Sequence, residues 1–484
     1  MAAWRSTLRG SIARSYGSKS GDLPIRTVGL NSRSFPKRRA HSPTFIVSKR
    51  LISTNAPMDT SELPEHLRML SNDPDLIAGA VRDLNDGYVM LKPPNTTTEY
   101  YKFGSFFLRE NCQCPKCVHP DTKQRIVEIG SVLPEITPTK LNCGNLQEGA
   151  QITWNDGHES VYPWAWLERH NVLKRKLKYK VSVYGDCRPR HFRKFDAASD
   201  SYPEVEFEKV MLSDASVKDW LNKIQTLGFC FIKGVPIDPE ATKTLIERIA
   251  FVRHTHYGGF WDFTADLTFK DTAYTNESLG VHTDNTYFTD PARLQLFHLL
   301  SHTDGSGGES LLVDGLSAAD TLLKKHPEYY RTLIQVRQPW HASGNEDVCI
   351  QPSFTTPVFS VHPDRGRLYQ IRWNNYDRAP KSDWPLETQK QWYKAAQCYN
   401  DILNESRRRI QTQLQPGTAL IFDNWRMMHG RTEFTGKRRM CGGYVNNDDY
   451  ISRLRLLSYG REEVLNSLGS QYHPGAGKGP YSII

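Results

Sequence analysis

The chain has 484 residues, of which 38% are hydrophobic and 24% charged, with 33 Gly and 28 Pro. These proportions fit a globular protein of two or three domains; they exclude collagen, coiled coil and wholesale disorder, and no apolar run approaches the ~18 residues of a membrane-spanning helix. The formal charge of +9 is uneven: residues 1–58 hold 11 of the 62 Lys and Arg and one acid, Asp22, so the rest carries 51 basic against 52 acidic residues and gives a nucleic-acid partner no electrostatic footing.

In chain order, residues 1–58 read as a targeting segment. They contain Arg5, Arg9, Arg14, Arg26, Arg33, Arg38, Arg39 and Arg50, are rich in Ser, and lack a secretory apolar core. This is the composition of a mitochondrial transit peptide and predicts a matrix location. Nine cysteines, three of them crowded into Cys112–Cys117, fit a reducing compartment better than a disulfide framework. Across 59–186, short alternating segments bounded by turn residues (Ala80–Leu91, Val127–Leu133, Gln151–Trp154, Ser160–Tyr162) predict a small β-rich domain. Polar, Pro-containing residues 187–203 read as a linker.

The second domain is expected over 204–458. Ser213 caps a predicted helix, Asp214–Thr226, whose Val217, Trp220, Leu221 and Ile224 share one face. A buried strand at Phe229–Lys233 and a helix at Pro239–Arg253, apolar at Leu245, Ile249 and Phe251, follow. Strands are then predicted at Leu294–Leu300, Ser310–Asp314, Pro357–His362, Arg367–Trp373, Ala419–Asp423 and Cys441–Val445, with one helix, Leu386–Leu403, interrupting them. Short strands beside supporting helices predict a mainly β domain, a sandwich or barrel. Residues 459–484 read as a mobile tail.

Two clusters carry chemistry. Cys112, Cys114 and Cys117 place three thiols within six residues, an arrangement suited to a structural Zn(II). The fourth ligand is open between His119, close but cramped, and His158, in the turn Asn155-Asp156-Gly157-His158. The second cluster is the pattern of non-haem Fe(II) oxygenases, in which two His and one carboxylate leave three metal positions open. Its His-x-Asp half occurs four times: His119/Asp121, His282/Asp284, His302/Asp304 and His362/Asp364. Asp304 and Asp364 are explained as turn formers and His119 lies in the cysteine segment, so exclusion favours His282 and Asp284. His429 follows a predicted buried strand, as the distal ligand requires. Arg438, at the start of the next strand, is of the residue type that forks onto a dicarboxylate such as 2-oxoglutarate; flanked by Lys437 and Arg439, it reads equally well as surface charge.

The segments LRENCQCPKCVHP, WNDGHESVYPWAWL, HYGGFWDF, DTAYT, HTDNTYF, GGESLLVDG, RWNNYDRA, FDNWRMMHGRTEFTGKRR and CGGYVNNDD resemble the trimethyllysine dioxygenase family, close to the γ-butyrobetaine dioxygenases and within the taurine-dioxygenase-like oxygenases. The resemblance spans residues 107 to about 450. It implies a zinc-bearing N-terminal domain before a double-stranded β-helix, or jelly-roll, oxygenase domain. It implies His282, Asp284 and His429 as iron ligands, Arg438 and Ser310 at 2-oxoglutarate, and Cys112, Cys114, Cys117 and His158 at zinc. Tyr257, Trp261, Tyr274 and Tyr444 match an aromatic cage for a trimethylammonium group, which has no N–H and is recognised by ring faces. On the same resemblance, Asn374 is expected to partner the substrate carboxylate, and Asp271, where γ-butyrobetaine dioxygenases have Asn, to face the substrate ammonium.

The implied activity is Fe(II)- and 2-oxoglutarate-dependent hydroxylation of Nε-trimethyllysine at its third carbon, the first step towards carnitine, with ascorbate maintaining the iron. γ-Butyrobetaine hydroxylation is the alternative. Two other classes, a zinc-ribbon module binding nucleic acid and an inactive jelly-roll scaffold, explain less of the pattern. Expected partners are the small-molecule substrate and O2, without nucleic acid or membrane; a homodimer is left open as the assembly.

Overall fold

The computed structural model describes residues 80–83, 87–91, 93, 101–128, 130–132, 134–143, 149–171, 195, 200–264, 275–362, 366–466 and 468. The proposed transit peptide, most of the proposed linker, Asp271, Tyr274 and most of the tail therefore lie outside the described residues. Those described belong to one compact unit, Asp59–Ile484.

Its first part contains two small antiparallel sheets. One runs Ala80–Asp83, Tyr88–Leu91, Tyr101–Gly104; the other runs Pro138–Asn142, Ala150–Trp154, Glu159–Tyr162. The inward alternation of the latter, with Ala150, Ile152, Trp154 and Tyr162 buried, is the period-2 pattern of a half-buried strand. Two short helices, Ser105–Glu110 and Trp164–His170, contribute Leu108 and Leu167 to the same core. The expected strand at Val127–Leu133 is absent among the described residues, where Ser131 N–H donates to the Glu128 carbonyl at 3.0 Å and turns the chain.

The second part is a jelly roll. Its larger sheet has the order Glu204–Glu206, Phe229–Lys233, Thr418–Asp423, Leu294–Thr303, Lys437–Val445, Trp261–Thr264; its smaller one has Leu279–His282, Met427–Arg431, Ser310–Asp314, Arg409–Thr412. Successive strands cross between the sheets, so each sheet interleaves early and late segments. Phe229, Leu299, Leu420, Phe422 and Met440 from the larger sheet pack against Leu312, Ile410 and Met427 from the smaller. Helices Asp214–Leu227, Pro239–Glu247 and Asn447–Tyr459 cover the outer face of the larger sheet through Trp220, Ile224, Leu245, Ile246 and Leu454. This double coverage makes Thr418–Asp423 an almost continuous apolar run rather than an alternating one.

Ser213 caps its helix as expected, accepting from Ser216 N–H at 3.2 Å. The helix expected over Pro239–Arg253 ends at Glu247, where Ile249 N–H bonds to the Ile246 carbonyl, and Phe251 is 83% exposed instead of lying on the apolar face. The long helix Leu386–Leu403 forms, but two unexpected helices precede it, Gly315–Lys325 and Pro327–Gln335. Together the three bury Leu322, Tyr330, Leu333, Trp392 and Tyr399 against Val313 and Met428 of the smaller sheet. The tail begins as a helix, Arg461–Asn466, whose Glu463 pairs with Arg169 of the first part at 2.6 Å.

Candidate active site

His282 ends its strand and stands directly across from His429 on the neighbouring antiparallel strand. Their rings lie 4.3 Å apart between centroids. The backbone turns immediately after His282: Thr283 N–H donates to the Trp373 carbonyl at 2.7 Å, and Asn285 takes a left-handed φ of 56°. Asn424 pins this turn, accepting from Asp284 N–H at 2.7 Å and donating to its carbonyl at 3.1 Å. Asp284 Oδ1 is thereby set 3.3 Å from His282 Nε2 and 3.4 Å from His429 Nε2.

The donor set fits a divalent metal. His282 Nδ1 lies 2.8 Å from the Gly280 carbonyl, so it carries the proton and leaves the Nε2 lone pair towards Asp284. Burial and the neighbouring His282 push the His429 pKa down, favouring the neutral imidazole that a metal needs. Burial opposes charge on Asp284, yet the two imidazoles hold its carboxyl well below the usual range. The competing triplet does not approach: His302 Nε2 lies 2.8 Å from the Thr435 carbonyl, and Asp304 adopts φ of 58° in a turn.

Arg438, 6% exposed, and Arg431, 8% exposed, are two buried guanidiniums beside this cluster. Burial, then mutual repulsion, pushes Arg438 down to about 10. Arg431 donates to the carbonyls of Thr275 and Glu277 at 2.7 and 2.9 Å. Arg438 Nε is buried with no hydrogen-bond partner, and among the described residues no carboxylate pairs with this cation. A buried unpaired guanidinium is costly by several kcal/mol, so an anion such as a dicarboxylate cosubstrate fits here. The surface-charge reading of Arg438 is excluded by its burial.

The cluster and both arginines line one cavity of about 130 Å³. Of the expected site residues, Tyr257, Trp261, Ser310, Asn374 and Tyr444 also line it. Trp261 approaches this closely because its register partner is Gly442, where a Cβ would stand 2.4 Å from the indole. Tyr444 has a further contact, donating its hydroxyl to Asp284 Oδ2 at 2.8 Å. Arg431, Gln295, Tyr287, Tyr376 and Asp377 line the cavity without having been singled out from the sequence. Tyr287, Tyr376, Asp377 and Arg431 fall within the segments HTDNTYF, RWNNYDRA and FDNWRMMHGRTEFTGKRR without having been assigned a role, whereas Gln295 lies outside every such segment, on a strand whose alternation predicts only facing.

In the first part, Cys112, Cys114 and Cys117 converge on His158, with Sγ to Nε2 distances of 3.3, 3.5 and 3.5 Å. The hairpin between Trp154 and His158, with Gly157 at φ 79°, presents the imidazole. Asp156 braces the site, accepting from His158 N–H at 3.0 Å and from Arg109 Nε at 2.8 Å. His119 instead accepts the Asp121 and Thr122 amides, and His158 is the histidine that meets the three thiols. Burial and the adjacent sulfurs push Cys117 up to about 12, a repulsion that a soft divalent cation would relieve.

Residues 189–444 match the taurine catabolism dioxygenase TauD, TfdA family, and residues 95–168 match the γ-butyrobetaine hydroxylase-like N-terminal family. The chain is 43% identical to a trimethyllysine dioxygenase of Meyerozyma guilliermondii, over 76% of this chain and 93% of that one. It is 33% identical to a mitochondrial trimethyllysine dioxygenase of Gallus gallus, over 74% of this chain and 83% of that one. Identity to a γ-butyrobetaine dioxygenase of a Pseudomonas species is 29%, over 73% and 90%. With a two-His, one-carboxylate cluster and a buried guanidinium already in one cavity, the chain belongs to the TauD/TfdA dioxygenases and, within them, to the trimethyllysine dioxygenase family.

Proposed function

We propose that this 2-oxoglutarate-dependent dioxygenase hydroxylates Nε-trimethyllysine at its third carbon, converting 2-oxoglutarate and O2 to succinate and CO2. The observation that carries the reading is one cavity lined by His282, Asp284 and His429, by the buried Arg438, and by the rings of Tyr257, Trp261 and Tyr444. Bound Fe(II) supplies the redox chemistry that couples decarboxylation of the 2-oxoacid to insertion of oxygen into a C–H bond. The chain's own residues do the rest. His282, Asp284 and His429 hold the metal on one face, and Arg438 takes the far carboxylate of 2-oxoglutarate, with Ser310 beside it. Tyr257, Trp261 and Tyr444, with Tyr274 from outside the described residues, receive the trimethylammonium on ring faces. Asn374 takes the substrate carboxylate and Asp271 its α-ammonium.

The remaining assignments are proposals of the same kind. Cys112, Cys114, Cys117 and His158 hold a structural Zn(II). Residues 1–58 direct the protein to the mitochondrial matrix, a reading supported by the vertebrate relatives being named mitochondrial. Ascorbate is expected to sustain turnover. The deciding assay offers trimethyllysine and γ-butyrobetaine side by side and measures succinate and hydroxylated product from each. Preference for trimethyllysine by tenfold or more, equivalent to ~1.4 kcal/mol, supports the reading; preference for γ-butyrobetaine overturns it. Asp271→Asn should narrow that preference roughly tenfold, because an ionised Asp attracts the ammonium and repels a lone carboxylate; an unchanged ratio places selectivity elsewhere.

A further inference from the structure

The two oxygens of Asp284 have different surroundings. Oδ1 faces both imidazoles, at 3.3 and 3.4 Å. Oδ2 turns the other way and accepts two hydrogen bonds, from Gln295 Nε2 at 2.6 Å and from the Tyr444 hydroxyl at 2.8 Å. Gln295 is 2% exposed and sits on Leu294–Thr303 directly opposite Tyr444 on Lys437–Val445, so both donors come from the rigid centre of the larger sheet. The amide oxygen of Gln295 is buried without a partner. The reversed amide would set that oxygen against the carboxylate, so the contact with Asp284 fixes the side chain's orientation at the expense of its own acceptor.

We propose that Gln295 is a positioning residue that, with the Tyr444 hydroxyl, clamps Asp284 so that only Oδ1 reaches the metal. The proposal rests on the reading of His282, Asp284 and His429 as metal ligands. Its chemical content is a coordination count. A carboxylate free to rotate can take two metal positions, and three must stay open for a bidentate 2-oxoacid and O2. The two donors have different duties. Tyr444 also presents its ring to the cavity and so meets the substrate, whereas Gln295, although it lines the same cavity, commits its amide N–H to Asp284 Oδ2. Gln295 therefore acts through Asp284 and not on the substrate.

The test uses the full-length protein stripped of metal, with Mn(II) alone as the probe of affinity and Co(II) as the probe of coordination. Gln295→Leu should weaken Mn(II) binding by 10- to 100-fold, the usual cost of removing a group that orients a metal ligand. It should also shift the visible Co(II) spectrum as the carboxylate turns. Gln295→Asn keeps the amide but falls short by one methylene; it should weaken Mn(II) in the same direction and decides the matter if the Leu variant does not fold. KM for the quaternary-ammonium substrate should rise more in Tyr444→Leu, which removes the ring face, than in Tyr444→Phe or the Gln295 variants, which keep it and act on Asp284. Folded Gln295 variants with wild-type Mn(II) affinity and an unaltered Co(II) spectrum overturn the proposal. Failure of the wild-type protein to take up Mn(II) overturns the ligand assignment beneath it.

Discussion

Asp284 and Asp304 each follow His-Thr, yet their surroundings assign them opposite fates. Asp284 is held between two imidazoles, whereas Asp304 occupies a left-handed turn and its neighbour His302 satisfies the Thr435 carbonyl. Asp284→Ala is therefore expected to abolish succinate formation while leaving the fold and zinc content intact, and His302→Ala to leave turnover within a few fold; loss of iron in the His302 variant would reverse the assignment. Arg438 gives a second expectation. A lysine there keeps the charge but offers a point donor in place of a planar fork, so Arg438→Lys should raise KM for 2-oxoglutarate roughly tenfold or more. Steady-state kinetics with trimethyllysine saturating would show it, and an unchanged KM would remove Arg438 from the cosubstrate site. Iron chemistry restricts residue type and spacing, which narrowed the His-x-Asp half of the cluster to four candidates, and the family resemblance chose among them. Gln295 and Arg431 were not readable, because a polar residue inside a strand gives no sign of which atom it serves.

At the scale of elements, the cysteine cluster joins the helix–turn after Leu108 to the hairpin that ends in His158. The first part has a modest core, and a metal clip contributes folding energy directly. Cys114→Ser should lower the melting temperature, promote aggregation and release one equivalent of zinc; unchanged stability and zinc content would dispose of the structural role. Strand Leu294–Thr303 carries another buried imidazole, His298, 0% exposed, with Nδ1 2.7 Å from Thr242 Oγ1 and Nε2 unpartnered. Burial pushes its pKa down to about 4. The neutral form is thus favoured in the fold, so stability is full above the unfolded value near 6.5 and falls as pH drops towards 4, by up to ~3 kcal/mol. Replacing His298 with Gln should shrink the fall in melting temperature between pH 7 and pH 5; an equal fall would place acid sensitivity elsewhere. Strands and capped helices followed from alternation and from Ser213. Gly315–Lys325 and Pro327–Gln335 did not, since their helical character depends on packing against Leu386–Leu403 and the smaller sheet, which no local window contains.

For the whole molecule, a sandwich or barrel was foreseeable from the run of short strands and the jelly roll from the family resemblance, but the strand order was not, because interleaving is a property of long-range pairing. Targeting also belongs to this scale. A chain beginning after residue 58 should retain full activity in vitro and stay in the cytosol when expressed in cells; its import into mitochondria would refute the transit-peptide reading. The position of Lys437–Val445 has a consequence in time. The last strand of the chain to enter the larger sheet lies not at its edge but between Leu294–Thr303 and Trp261–Thr264, and it brings both Arg438 and Tyr444. Until that segment leaves the ribosome, its two neighbours have open edges that invite pairing with other chains. A molecule interrupted before residue 437 is therefore more than a shortened enzyme: it is one with a slot through its main sheet, without Arg438 and Tyr444, and with edges that invite foreign strands until the 48 residues from Lys437 to Ile484 arrive.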